Sequence, residues 1–187
     1  MNGDTEETAT HGPSTGVDGR EPPAGTSVDL PHTATDRTDR EVVYRVYEPS
    51  DRAAVRALHD SFQAADRSQG VPPADDDALD EWLSSVLSGP SVVAWHDGTA
   101  VGHLALVPDR SGEHELGLFV AADYREAGVG TELLRSGLAH ARETAVSSIW
   151  LSVARTNEDA RRLFRRAGFV ETTETAFTVY AARAVRE

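Results

Sequence analysis

The stretch from Leu116 to Arg142 constrains this chain more than any other. An apolar run ending at Val120 is followed by Ala121-Ala122-Asp123-Tyr124-Arg125-Glu126-Ala127-Gly128-Val129-Gly130-Thr131. A helical pattern then puts Leu133, Leu134, Leu138 and Ala141 on one face. The order reads as strand, tight turn, helix. The first N–H groups of a helix have no intrahelical partner, and the helix dipole favours negative charge there. Glycines at 128 and 130 let the backbone approach a phosphate and adopt positive φ, and Arg125 adds a cation at the mouth. A purely structural turn would carry the same two glycines. Two phosphate-binding classes fit poorly. All 18 basic residues are arginine, so no Walker lysine exists, and the R-x-x-G-x-G spacing lacks the three-glycine dinucleotide fingerprint.

Around this unit the chain alternates element types. Val42, Tyr44 and Val46 alternate with Val43, Arg45 and Tyr47 as a strand. Ser50 or Asp51 opens a helix running to about Phe62, and a second helix covers roughly Asp77 to Leu87 after a polar loop with Pro72 and Pro73. Val92–Trp95 and Ala100–Val107 form strands about an Asp97-Gly98 hairpin turn, and Glu113–Val120 is a third. Ser148–Val153 is a strand, Asn157–Ala167 a short helix ended by Gly168, and Thr175–Ala181 a last strand. The order implies an α+β (mixed α/β) fold rather than a regular doubly wound sheet.

Residues 1–40 hold 8 acids, 3 arginines and no aromatic residue, a net of −5. Such a segment cannot offset its ordering entropy by apolar burial, so a disordered acidic tail is expected. The full chain has 31 acidic residues, a formal charge of −13 and no cysteine. Thiolate nucleophiles, disulfides and Cys-based zinc sites are excluded. A field of that sign repels nucleic acid and anionic membrane. No apolar run of about 18 residues occurs, and the polar start is unlike a secretory signal, so a cytosolic protein is expected. A dense acidic surface without lysine also suits a high-salt cytosol. The seven histidines show no paired ligand spacing, and His114-Glu115-Leu116-Gly117 is not H-E-x-x-H, so no metal is expected.

Between Leu116 and Phe169 the chain resembles the GCN5-related N-acetyltransferase (GNAT) superfamily. Two ordered signatures carry the likeness. One is Arg125-x-x-Gly128-x-Gly130. The other is Asn157-Glu158-Asp159-Ala160-Arg161-Arg162-Leu163-Phe164-Arg165-Arg166-Ala167-Gly168-Phe169, which keeps the family's spacing of Asn, Ala, Leu-Tyr and Gly-Phe. The resemblance implies a central mixed sheet of about six to seven strands flanked by four helices, formed by residues 41–187. It implies acetyl-CoA as cosubstrate, with Leu118, Phe119 and Val120 beside the pantetheine arm. The pyrophosphate would rest on N–H groups of Arg125, Glu126, Ala127, Gly128, Val129, Gly130 and Thr131. Asn157 and Phe164 match further cofactor-side positions. Asn157 is also a natural N-cap, and Phe164 has the spacing of a core residue.

Acetyl transfer to an amine needs a base, because an alkyl amine of pKa ~10 is protonated at neutral pH. Glu115 lies ten residues before Arg125, where many relatives place a catalytic glutamate. Glu113 would share its strand face, and His114 is third choice. Solvated charges at a strand start are the alternative. Phe164 departs from the pattern: many relatives have a tyrosine there that protonates the leaving thiolate. Tyr124 and Tyr180 are other candidate donors, and a thiol of pKa ~8.5 also leaves unassisted. Arg155, Arg161, Arg162, Arg165 and Arg166 form a basic cluster, either a solvated helix face or a contact for a CoA phosphate. The expected function is N-acetylation of a protein lysine, a protein N-terminus or a small molecule. The alternative is an acyl-CoA-binding sensor without turnover. A homodimer is left open.

Overall fold

The computed structural model describes residues 28–64, 67 and 71–185. The expected tail falls outside these up to residue 27, as does part of the polar loop before the second helix. Eight strands form one sheet in the order β1-β2-β3-β4-β5-β6-β8-β7. They are β1 (His32–Thr35), β2 (Glu41–Val46), β3 (Ser91–His96), β4 (Thr99–Pro108), β5 (His114–Val120), β6 (Ser148–Ala154), β7 (Val170–Glu174) and β8 (Thr178–Ala184). Four helices join them: α1 (Arg52–Asp60), α2 (Asp76–Val86), α3 (Val129–Glu143) and α4 (Glu158–Arg166). Among the described residues no helix is long and apolar enough to cross a membrane.

Side chains alternate across the strands and divide the core in two. Val92, Ala94, Leu104, Leu106, Leu116, Ile149 and Leu151 join α3 and α4 residues on one face. Val93 packs on the other with Val55, Leu58 and Phe62 of the α1 region and Leu79 and Leu83 of α2. Helix α3 approaches the sheet closely at Gly137, where a Cβ would stand 2.5 Å from both Leu104 Cδ atoms. Caps set the helix starts. Asp75 accepts the Ala78 N–H at 3.0 Å ahead of α2, and Asn157 Oδ1 accepts the Ala160 N–H at 3.1 Å ahead of α4.

All neighbouring strands run antiparallel except β5 and β6. That parallel pair is registered only at His114↔Ile149 and Glu115↔Trp150. Beyond Glu115 the two strands part, and the middle of the sheet opens.

The mixed sheet with four helices agrees with the expected class, and the strand count is higher. The described fold begins at Val28, and β1 pairs with β2 from His32↔Tyr44 to Thr35↔Glu41, although residues 28–40 read as part of the tail. The expected last strand, Thr175–Ala181, is present as β8, shifted to Thr178–Ala184, and it pairs with an additional strand, β7, across residues 175–177. Strand β7 is exposed at all five positions, so it has no inward face to create an alternating pattern.

Candidate functional site

The opening between β5 and β6 leads to the loop 121–128. After Val120 the chain makes a 3-10 turn at Ala122–Tyr124, then passes through Glu126 at φ 59 and Gly128 at φ 95. Gly128 is the N-cap of α3 in the left-handed region, which a side chain would oppose. No described side chain caps this helix, so its first N–H groups are available to a ligand. Arg125 folds back, its Nε donating to the Val120 carbonyl at 3.0 Å and its guanidinium lying 5.6 Å from the Phe62 ring centre.

From this loop a cleft of about 1780 Å³ runs between α3 and α4. That exceeds the ~300–1,000 Å³ of a drug-sized pocket. Leu118, Phe119, Val120, Arg125, Glu126, Gly128, Gly130, Thr131 and Asn157 line it. Ala127 and Val129 do not line it; both side chains are buried. Eight arginines line the cleft against two acids, Glu126 and Asp159. In a chain of net charge −13, this groove concentrates the basic side chains that an anionic ligand would need. Arg155, Arg162 and Arg166 of the basic cluster reach it, while Arg161 turns aside to pair with Glu158 and Glu171.

Arg37, Arg135, Arg142 and Arg183 were not singled out from the sequence. For α3 the signal was present: Thr131, Arg135, Leu138 and Arg142 fall on one helical stripe. Arg183 donates to the Ala167 carbonyl, and burial, then the charge of Arg142, pulls its pKa below the usual value. Two cations held this close suit an anionic ligand.

Phe164 requires a correction. It does not line the cleft; it is buried, 5.7 Å from Phe169 between ring centres, beside Leu151 and Val153. Consecutive helix positions are ~100° apart, so Leu163 facing the cleft turns Phe164 into the core.

The acidic candidates lie on the opposite side of the sheet. Leu116 belongs to the α3 and α4 core and Phe119 to the α1 and α2 cluster, so Glu115 shares the Phe119 face. It stands opposite Trp150 at the last paired position before the strands part. Burial, then repulsion from Asp109, raises its pKa. Trp150 Nε1 donates to Asp109 Oδ2 at 2.9 Å, and Ser148 Oγ donates to Glu113 Oε1 at 2.9 Å. Ser148 and Trp150 share one face of β6, which brings Glu113 and Glu115 to the same side. His114 faces the other way, and burial lowers its pKa against the attraction of Asp109. None of these three lines the cleft. Tyr124 is committed elsewhere, its hydroxyl 2.8 Å from His96 Nδ1, and Tyr180 lies 6.4 Å from Trp150 between ring centres.

Known proteins share this fold. An L-amino acid N-acetyltransferase of Escherichia coli K12, AaaT, is 28% identical over 134 residues, spanning 69% of this chain and 83% of the relative. The protein yncA of Salmonella typhimurium, solved with its cofactor acetyl-CoA, superposes with a TM-score of 0.64 at 19% identity, over 78% of this chain and 95% of that one. The GNAT domain of S. lividans PAT gives 0.69 at 14% identity, over 82% and 96%. The ribosomal-protein-alanine N-acetyltransferase of Brucella melitensis gives 0.62 at 21%, over 75% and 98%. These structural likenesses establish the fold. The profile of the Acetyltransferase (GNAT) family matches residues 54–169, well over half of the chain, and the chain belongs to that family.

Proposed function

We propose that the chain is an N-acetyltransferase that moves an acetyl group from acetyl-CoA to a primary amine, with Glu115 as general base. The observation that carries this reading is the arginine-lined cleft running from the uncapped start of α3 to the parting of β5 and β6. The α3 N–H groups and arginines fit the phosphates of CoA. The β5 edge at Leu118–Val120 has no β6 partner, so its backbone groups can pair an extended pantetheine arm. The Asn157 side chain caps α4 and lines the same cleft, so it can serve both helix and cofactor.

Glu115 takes a proton from the amine, directly or through one water. The neutral nitrogen then bonds to the thioester carbonyl carbon, the C–S bond breaks with its electron pair leaving on sulfur, and the second proton the nitrogen sheds passes through water to the thiolate. The raised pKa of Glu115 makes it a stronger base than an ordinary carboxylate. Leu118 is three residues along β5 from Glu115, about 10 Å of strand, so a relay through water is favoured over direct contact. Glu113, tied to Ser148, stands second. The acceptor is a protein lysine, a protein N-terminus or a small molecule. A free L-amino acid leads among small molecules because the Escherichia coli relative is named for that substrate class. We also place the chain in the cytosol and read its lysine-free acidic surface as salt adaptation, supported by the −13 charge.

A second reading, an acyl-CoA sensor without turnover, is favoured by Phe164, which carries no proton and faces the core. Incubation with acetyl-CoA and a panel of L-amino acids, lysine peptides and N-terminal peptides, following free thiol, separates the two. Acceptor-dependent thiol release is the expected result. Tight acetyl-CoA binding without release across the panel would leave the sensor.

A further inference from the structure

We propose that Arg37, on the turn between β1 and β2, is a cofactor-binding residue that completes the phosphate loop from outside the strand–helix unit. This rests on the acetyl-CoA reading above and deepens it, because it assigns a phosphate contact to a segment that neither signature includes.

The turn is held by one carboxylate. Asp36 Oδ1 accepts the Thr38 N–H at 2.8 Å, the Thr38 hydroxyl at 2.8 Å and the Arg40 N–H at 3.1 Å, while Oδ2 accepts Arg40 Nε at 2.7 Å. The Asp36 N–H closes the turn on the Arg40 carbonyl at 2.9 Å. Burial works to raise the Asp36 pKa, and these hydrogen bonds outweigh it, holding the carboxyl well below the usual range.

The turn docks onto the loop through three of its carbonyls. The Arg37 N–H donates to Ala127 O at 2.9 Å, Arg37 Nη1 to Glu126 O at 3.0 Å, and Arg40 Nη1 to Asp123 O at 3.0 Å. The Arg40 guanidinium also stacks 4.0 Å above the Tyr124 ring centre. These contacts hold Glu126 in its positive-φ conformation and fix the approach to Gly128. They also aim Arg37. Its Nε lies 3.9 Å from the position a Cβ on Gly128 would occupy, and Arg37 lines the cleft. Among the described residues Arg37 has no carboxylate partner, whereas Arg135, Arg155 and Arg162 are each ion-paired. Its charge is therefore uncompensated beside the uncapped N-terminus of α3. A phosphate seated on the α3 N–H groups would meet Nε and Nη2, the donors that the Glu126 carbonyl leaves over.

Arg37→Gln isolates this role. A glutamine amide can still donate to the Glu126 carbonyl, and the backbone bond to Ala127 is untouched, but the charge is gone. Calorimetric titration of the full chain with acetyl-CoA is expected to give about tenfold weaker binding, the scale of one charge-assisted hydrogen bond. The loss should shrink when salt is raised from about 0.1 M to about 1 M, where the Debye length falls to ~3 Å. The melting temperature should not move. An unchanged Kd in Arg37→Gln, beside a Gly128→Val variant that loses binding, overturns the role of Arg37 and leaves the acetyl-CoA site standing. An equal loss at both salts with a lowered melting temperature also overturns it, reducing Arg37 to a structural clamp. No binding by the wild-type chain overturns both readings.

Discussion

His59 Nε2 and His103 Nδ1 lie 2.9 Å apart, and both residues are fully buried. The pair is boxed by aromatic rings: Phe119 lies 4.7 Å and Trp82 5.0 Å from the His59 ring centre. The outer nitrogens, His59 Nδ1 and His103 Nε2, have no partner among the described residues. Burial, together with repulsion from His103 in the case of His59, pushes both pKa values far down. The folded state therefore keeps the pair neutral.

A pH dependence of stability follows. In the unfolded chain both histidines titrate near 6.5, so below that pH the unfolded state binds protons that the folded state refuses. The stabilisation is present above about pH 6.5 and is lost as pH falls. Two such groups remove about 3 kcal/mol between pH ~6.5 and pH ~5. His114 acts in the same direction, and Glu115, whose pKa is raised, opposes it. Thermal melts should show the decline, and the double variant His59→Leu with His103→Leu should flatten it. An equally steep decline in the double variant would place its origin elsewhere.

Glu115→Gln separates chemistry from binding. Loss of a general base lowers kcat roughly 10²-fold or more, and acetyl-CoA affinity should be intact because Glu115 does not line the cleft. The wild-type rate should fall on the acid side as Glu115 takes up a proton. The midpoint should lie above the ordinary glutamate value of about 4.3, because burial raises this carboxyl. A variant as fast as wild type would transfer the role to Glu113 or to water alone.

The site was legible where local patterns and function coincide. The turn from Val120 to Thr131 combines a strand end, two glycines and a helix start, and each leaves a mark in consecutive residues. Asn157 was legible twice, as a signature residue and as an N-cap, and the cap is present. What escaped depends on pairing distant in sequence. β1 is four residues long and joins the sheet only through β2, so nothing in His32–Thr35 distinguishes it from a polar tail. Arg37 went with that tail. Its partners lie 89 residues away at the Glu126 carbonyl, a backbone acceptor that no residue identity encodes. Which way Phe164 faces depends on where α4 settles on β6 and β8, and helical period alone does not set that.

Gly128 at φ 95 tests the loop backbone. A β-branched residue there costs at least the ~1–2 kcal/mol of a left-handed L-residue, and the strain is relieved by moving the start of α3. Gly128→Val should therefore weaken acetyl-CoA binding by more than about tenfold, while far-UV circular dichroism stays close to wild type. Retained affinity by calorimetry would show that the phosphates rest elsewhere.

Phe164→Tyr asks whether the missing hydroxyl limits the reaction. The ring lines a small cavity together with Leu151, Val153, Phe169, Val179 and Ala181, and Arg161 and Glu171 line it too. Those two side chains already bond each other at 3.1 Å, so a new hydroxyl enters with no ready partner. Burying it unsatisfied costs about 1–3 kcal/mol, seen as a lower melting temperature. The rate should not rise, because the hydroxyl would point into the core, whereas the proposed acetyl-CoA site puts the thiol end along β5. A faster Phe164→Tyr enzyme would mean that α4 turns in solution to present this position to the cleft. The thiolate would then need a donor that the wild-type chain lacks. An unchanged rate with reduced stability would instead mark Phe164 as a packing residue in a site whose leaving group departs unaided.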